Sequence, residues 1–351
     1  VLEKIKSWFT GKKDKSATPE KKQKKDKKDM TLKEKVIDNV KVFFSAYLIA
    51  FVIRLFLIEA YQIPSQSMVP NLMVQDILMV EKFSFGSILP IVHWKLPAIF
   101  KPTRGDIIVF VSPEWKSPGW GEELITLVTL SLINLDNTME NPKNLVKRLI
   151  GMPGDTIMMT NRQLIINGHP LATDYITNVS EIVYNHFNQT GINFYDLYAE
   201  NFSNRIRIIQ FLHFDSAYYN PVPSMHIDLR KDFPEITVPV KDVPIDLTKA
   251  NDYYKHLLLM LIERETGKDI VMGPDGNIYM EGVLLESYTP KDNYYFGMGD
   301  NRDNSQDCRY FGFIPETNIF GRILFRYFPF NRIAFNVDEN SQSVKNVKFN
   351  K

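Results

Sequence analysis

The stretch Val42–Ile58, VFFSAYLIAFVIRLFLI, constrains the chain more than any other. It runs seventeen residues with one charge, Arg54. As a helix it reaches about 26 Å, near the lower limit for crossing the hydrocarbon core of a bilayer. Arg54 lies near the far end, where its stem can follow the helix while its head reaches the interface. Three readings compete: a buried core helix, a cleaved signal peptide and an uncleaved anchor. The first is disfavoured because the apolar residues occur all round and the flank is strongly basic. The second is disfavoured by the roughly forty residues that come before, and because the exit, IEAYQ, lacks the small-x-small pair that cleavage needs. An anchor over 42–60 is the reading adopted, and no second segment of comparable length is present.

The flank sets the expected orientation. Residues 1–41 hold fourteen lysines, no arginine and seven acids, about +7 in all. With a net charge of +1 for the whole chain, the remainder carries about −6. Lysines ahead of the span place the N-terminus in the cytoplasm and everything after Ile58 across the membrane. The polar stretch 10–35 reads as a solvated, disordered arm. A basic arm on a mildly acidic body suits a membrane-facing tail, and nucleic acid is not an expected partner. The single cysteine, Cys308, excludes an intrachain disulfide and a Cys-rich zinc site. The six histidines show neither H-x-x-x-H nor H-E-x-x-H spacing, so no metal and no cofactor is expected.

The 351 residues, 44% hydrophobic and 13% aromatic, are enough for a substantial core. Most of the body reads as β. DILMVEKF, GDIIVFV, DTIMMTNRQLIING, EITVPV and IYMEGVLLESYT are short apolar runs cut by Gly, Asn, Asp and Pro. INGHP and PDGN are turn signals. Clear helical pattern occurs at Asn251–Gly267, with an Asn start and a Gly stop. Leu124–Leu135 is too short to span and reads as a buried strand or an interfacial element. Phe85–Phe100 is broken by Pro90 and Pro97 and cannot be a long helix. With Trp94, Trp115 and Trp120 close by, this region either grazes lipid headgroups or is ordinary core. Residues 172–270 read as an insertion, and no internal repeat is evident.

Four stretches carry candidate chemistry: QIPSQSMVPNL (Gln62–Leu72), RGDIIVF (Arg104–Phe110), LVKRLIGMPGD (Leu145–Asp155) and GDNRDNSQDCRYFGFIP (Gly299–Pro315). In the third, Lys147 and Arg148 are adjacent in a strand-like run and must face opposite ways, so one of them can point into the core. Burial disfavours the ammonium form, and a neutral amine is a usable base. A serine hydroxyl is a weak nucleophile until a base takes its proton, and no histidine neighbours these motifs. The fourth stretch, dense in Gly, Asn and Asp, suits a tight polar loop that orients other groups.

Taken together and in this order behind an anchor, the four stretches resemble the type I signal peptidase family, membrane-anchored serine/lysine peptidases that trim exported preproteins. The resemblance covers roughly residues 40–160 and 270–335 and is to the longer form with an inserted domain. It implies a mainly β fold: a single N-terminal transmembrane helix, then an antiparallel β-sheet catalytic domain with an inserted second domain. The expected division is a cytoplasmic arm 1–41, an anchor 42–60, a catalytic domain split over 61–171 and 271–335, an insertion 172–270 and a polar tail 336–351.

By motif position the resemblance makes Ser67 the nucleophile and Lys147 the general base. Ser305 would hydrogen-bond the lysine amine and aim it. The Ser67 amide and the Ser65 hydroxyl would form the oxyanion hole. Asp300, Arg302, Asp307 and Arg309 look like ion pairs that hold the loop, and Gly299 would permit a close approach. Ile63, Met68, Leu72 and Val146 would line the −1 subsite; Tyr61, Leu78 and Val109 would line the −3 subsite. Cys308 stands where serine is usual, Gln66 and Asn71 differ from common choices, and one span replaces the two of some members. The implied substrates are preproteins with signal peptides cut after small-x-small sites. The implied setting is the bacterial inner membrane, single-pass, with the catalytic domain on the outer face, near the bilayer and the translocation machinery. Rival readings are another serine/lysine peptidase, such as a self-cleaving repressor, a tethered binding protein with an inert Ser–Lys pair, and a basic-arm scaffold on anionic lipid.

Overall fold

The computed structural model describes residues 31–135, 142–175, 195–202, 205–212, 227–335 and 337. Most of the basic arm, parts of the insertion 172–270 and nearly all of the tail 336–351 lie outside the described residues. The chain forms two compact units, Val1–Ala50 and Phe51–Lys351.

Helix α1 spans Leu32–Phe56. Its start is fixed by a reciprocal cap: the Thr31 N–H donates to Glu34 Oε2 (2.9 Å) and the Glu34 N–H to Thr31 Oγ1 (3.3 Å). The helix therefore begins ahead of the apolar run and is about 38 Å long for its 25 residues. None of its residues is buried. Among the described residues it is the one helix long and apolar enough to cross a membrane.

The second unit is built on an antiparallel sheet of seven strands: β1 (Ile58–Gln62), β2 (Ile77–Glu81), β3 (Ile107–Val111), β4 (Asn144–Gly151), β5 (Tyr294–Met298), β6 (Ile314–Pro315) and β7 (Ile319–Phe328). Their order is β1-β2-β7-β3-β4-β5-β6. β1 follows α1 almost directly. Glu59 in β1 accepts from Arg54 Nε (2.9 Å), Lys82 Nζ (2.9 Å) and Tyr61 Oη (2.7 Å), which ties the helix end to the sheet edge.

One large core lies against this sheet. It joins Ile108 and Phe110 of β3 and Leu149 of β4 to Ile157, Phe233, Phe296 and Phe313. Helix α3 (Asp252–Thr266) contributes Tyr253, Leu257, Leu258 and Leu261 to the same core. The expected helix signals hold: the Asn251 side chain accepts from the Tyr254 N–H (2.9 Å), and Gly267 ends the helix at φ 66°, a left-handed position where glycine costs least. Residues 227–270 thus share the core of the flanking segments.

An antiparallel hairpin, Tyr195–Phe202 paired with Arg205–Leu212, forms another part of the region read as an insertion. Phe85–Phe100 is the short hairpin Ile88–Leu89 with Trp94–Lys95 and contains no long helix, as its prolines require. Leu124–Leu135 is not a strand. Helix α2 (Trp120–Val128) occupies its first part, because glutamates in the first turn and good helix formers such as leucine outweigh the β-branched residues.

Candidate active site

β4 carries Lys147 and Arg148, and both are buried. Alternation sends them to opposite faces, and both faces of β4 are covered, so the core takes in Arg148 as well as Lys147. Ser67 lies in the turn after β1. The Ser67 loop is held by its own backbone, with the Leu72 N–H on the Met68 carbonyl (2.9 Å) and the Val69 N–H on the Gln66 carbonyl (3.1 Å).

Lys147 Nζ donates to Ser67 Oγ at 2.8 Å. Burial pushes the Lys147 pKa down to about 8. Asp307 and Asp300 oppose that shift, and Arg309 adds to it. Roughly a tenth of such amines are uncharged at pH 7. Ser65 Oγ is 3.3 Å from Ser67 Oγ, and Ser65 is exposed.

The loop after β5 closes over the pair. The Asn301 N–H donates to the Ser67 carbonyl (3.0 Å), and Asn301 Nδ2 donates to the Gln66 carbonyl (3.2 Å). Gly299 is required by space: a Cβ there would lie 2.2 Å from Ser305 Oγ and 2.4 Å from the Ser67 carbonyl oxygen. Its N–H donates to Asp307 Oδ2 at 2.9 Å. Ser305 Oγ is buried but has no hydrogen-bond partner among the described residues. The bond expected from Ser305 to Lys147 is therefore not formed; the amine bonds Ser67.

Asp300, Arg302, Asp307 and Arg309 are all buried and all in ion pairs, but only one pair is internal to the loop. Arg309 forks onto Asp307 (Nε–Oδ1 and NH2–Oδ2, both 2.8 Å), and its NH2 also donates to the Arg302 carbonyl (2.6 Å). Asp300 is forked by Arg148 (Nε–Oδ1 and NH2–Oδ2, both 2.7 Å), and Arg148 NH1 reaches the Gly105 carbonyl (2.6 Å). Arg302 NH1 meets Glu200 Oε1 at 2.7 Å, and NH2 meets Oε2.

Glu200 comes from the 195–212 hairpin and was not picked out from the sequence. The available signal was an acid within an apolar strand, YDLYAENF. The same hairpin pairs with the loop through its backbone: the Gln210 N–H donates to the Asp300 carbonyl (2.9 Å) and the Arg302 N–H to the Gln210 carbonyl (3.0 Å). Asn71 links all three segments by donating to Asp300 Oδ2 (2.6 Å) and to the Ile208 carbonyl (2.7 Å). Cys308 Sγ accepts the Gly297 N–H at 3.1 Å, and burial pushes its thiol pKa well up.

The expected subsite residues fall in two adjoining apolar clusters. Ile63, Met68, Leu72 and Leu78 pack with Ile107, and Val109 packs with Val80, Phe320 and Tyr61. Val146 touches both clusters. Leu78 thus packs with the residues expected at −1, although it is also the cross-strand partner of Tyr61.

The model of the family "Signal peptidase, peptidase S26" matches residues 36–205 and 251–328. This chain belongs to that family. It is 31% identical over 292 residues to the signal peptidase I of Buchnera aphidicola from Acyrthosiphon pisum, covering 83% of this chain and 74% of the relative. It is 27% identical to signal peptidase I of Haemophilus influenzae (80% and 66% covered) and 27% identical to that of Helicobacter pylori strain 26695 (84% of each). As a member of the signal peptidase family it is a serine peptidase that removes signal peptides from preproteins, with a mainly β body and one apolar N-terminal helix.

Proposed function

We propose that Ser67 is the nucleophile and Lys147 the general base of this peptidase. One observation carries the assignment: a buried lysine, its pKa lowered to about 8, bonded at 2.8 Å to the Ser67 hydroxyl. The neutral amine takes the Ser67 proton as Oγ attacks the carbonyl carbon after a small-x-small site. It then gives that proton to the departing amine as the C–N bond breaks. Water, deprotonated by the same amine, hydrolyses the ester and restores Ser67. The Ser67 N–H and the Ser65 hydroxyl stabilise the oxyanion, where a lost donor costs about 2.7–4 kcal/mol. Ser305, buried and unpartnered over Gly299, steadies the amine once its bond to Ser67 is broken. Asp300, Arg302, Asp307 and Arg309 hold the loop. The adjoining apolar clusters around Ile63, Met68, Leu72, Leu78 and Val146, and around Tyr61 and Val109, favour small residues at −1 and −3. An extended substrate can also pair with a sheet edge.

The proposed setting is the bacterial inner membrane. α1 supports a single-pass anchor by its length and apolar surface, and the lysine-rich arm 1–41 supports a cytoplasmic N-terminus. The catalytic domain, expected as 61–171 and 271–335 and sharing its core with residues 227–270, then works on the outer face beside the bilayer, where the translocation machinery releases preproteins. The test uses the full chain in detergent with a preprotein bearing an A-x-A site. The wild type cuts after that site, and Ser67→Ala or Lys147→Ala abolishes cutting. Full activity in either variant overturns the assignment.

A further inference from the structure

One residue of the loop after β5 grips Ser67 from both sides. The Asn301 N–H donates to the Ser67 carbonyl at 3.0 Å, and Asn301 Nδ2 donates to the Gln66 carbonyl at 3.2 Å. Those carbonyls belong to the two peptide units that flank the Ser67 Cα. A trans peptide unit is planar, and its C=O and N–H point in opposite directions. Holding the Gln66 carbonyl therefore fixes the plane that carries the Ser67 N–H and turns that N–H away from Asn301. Holding the Ser67 carbonyl fixes the next plane. With both planes set, φ and ψ of Ser67 are set, and so is the direction of its Cβ.

Asn301 is itself held rigidly. It is buried, and the residues on either side of it are bonded to one residue of the 195–212 hairpin. The Gln210 N–H donates to the Asp300 carbonyl at 2.9 Å, and the Arg302 N–H donates to the Gln210 carbonyl at 3.0 Å. The Asn304 N–H closes the turn behind it on the Asn301 carbonyl at 3.1 Å. The side-chain amide is not needed to satisfy the Gln66 carbonyl, which already accepts from the Val69 N–H at 3.1 Å. Nor is it kept for its own oxygen: Asn301 Oδ1 is buried and has no hydrogen-bond partner among the described residues. Leaving that oxygen unpaired costs stability, and an apolar side chain of similar size would avoid the cost. The benefit of the amide is the direction it gives to the Gln66–Ser67 peptide.

We propose that Asn301 is a positioning residue that aims the Ser67 N–H at the oxyanion of the tetrahedral intermediate. The proposal rests on the reading of Ser67 as the nucleophile. A donor stabilises the oxyanion only from within hydrogen-bond distance of the place where its charge develops, and a peptide free to rotate loses that aim. Among the described residues Asn301 makes no bond to Lys147, so its loss leaves the base in place.

The test uses the full chain in detergent with a soluble peptide bearing an A-x-A site. Asn301→Leu removes the amide and keeps the backbone N–H on the Ser67 carbonyl. Its kcat should fall about 10–100-fold with KM within about twofold of wild type, because an interaction specific to the transition state is weakened. Its rate should still rise through a midpoint near pH 8, as in wild type. A peptide boronic acid of the same sequence bonds Ser67 Oγ to boron and puts a boron-bound oxygen where the oxyanion forms; its affinity should fall by the same factor as kcat/KM. These results together support the proposal. Unchanged kcat overturns it. A moved pH midpoint shows that Asn301 acts through Lys147, and a KM raised as much as kcat is lowered shows a role in substrate binding; either overturns it. Asn301→Ala replaces Asn301→Leu if the latter does not melt cooperatively, and loss of folding in both makes Asn301 structural and overturns the proposal. If Ser67→Ala cuts at full rate, the nucleophile reading fails and takes this one with it. An inactive Ser67→Ala beside a fully active Asn301→Leu overturns this proposal alone.

Discussion

Arg302 of the loop after β5 and Glu200 of the 195–212 hairpin form a forked ion pair with both side chains almost wholly buried. This gives the hairpin a mechanical role: it clamps the loop that covers Ser67. Removing one partner leaves an uncompensated buried charge. Glu200→Ala is expected to destabilise the protein by about 3–5 kcal/mol, read by denaturant unfolding in detergent. A Glu200→Met/Arg302→Met double variant is expected to recover most of that loss. An unchanged midpoint in Glu200→Ala would show that the clamp is not formed.

The buried amine makes activity pH-dependent. Cleavage rate, read as kcat/KM on a soluble peptide, should rise about tenfold per pH unit below pH 8 and level off above it. A flat profile from pH 6 to 9 removes Lys147 as the base.

The same amine sets a stability trend of known sign. Its folded pKa, about 8, lies below the ordinary lysine value of about 10.4. Between those values the unfolded chain binds more protons, so stability rises with pH across that window. Below pH 8 the buried charge costs about 3 kcal/mol. Lys147→Met is therefore expected to be inactive yet at least as stable as wild type at pH 6. Its advantage should shrink as pH rises from 8 to 10, measured by melting curves across that range.

Gly299→Ala and Gly297→Ala separate close approach from general crowding. At 299 the added Cβ meets Ser305 Oγ and the Ser67 carbonyl at 2.2 and 2.4 Å. At 297 the nearest atoms are Ile314 Cδ1 and Lys147 Cβ at 3.1 and 3.2 Å. Gly299→Ala should lose about 10²-fold or more in kcat by shifting the nucleophile, while Gly297→Ala loses much less. Equal losses would mean that the contact with the Ser67 loop is not what matters.

Ser305→Ala removes a buried hydroxyl that has no partner among the described residues, so the melting temperature should hold or rise. If the hydroxyl supports the amine during turnover, kcat falls about 10–100-fold, the worth of one hydrogen bond to a charged group. Unchanged kcat excludes that role.

What was legible in the sequence was what depends on local order. The Ser67, Lys147 and Gly299–Arg309 motifs, the α3 boundaries at Asn251 and Gly267, and the interrupted Phe85–Phe100 segment all carry their signals in neighbouring residues. What was not legible depends on residues distant in sequence. Glu200 meets Arg302 across 102 positions, and nothing in YDLYAENF marks that partner. The burial of both Lys147 and Arg148 requires a second covered sheet face. At α2 the buried-strand alternative fails, because its apolar residues point outward while Glu123 points in, a pattern that only its packing reveals.

Cys308 is sealed in the core with its sulfur engaged by the Gly297 amide, and burial keeps its thiol protonated. Only a thiolate takes part in disulfide exchange or metal capture. The chain can hold one sulfhydryl there without exposing it to oxidants, glutathione or thiol-directed reagents, and iodoacetamide should leave the native protein untouched until it unfolds.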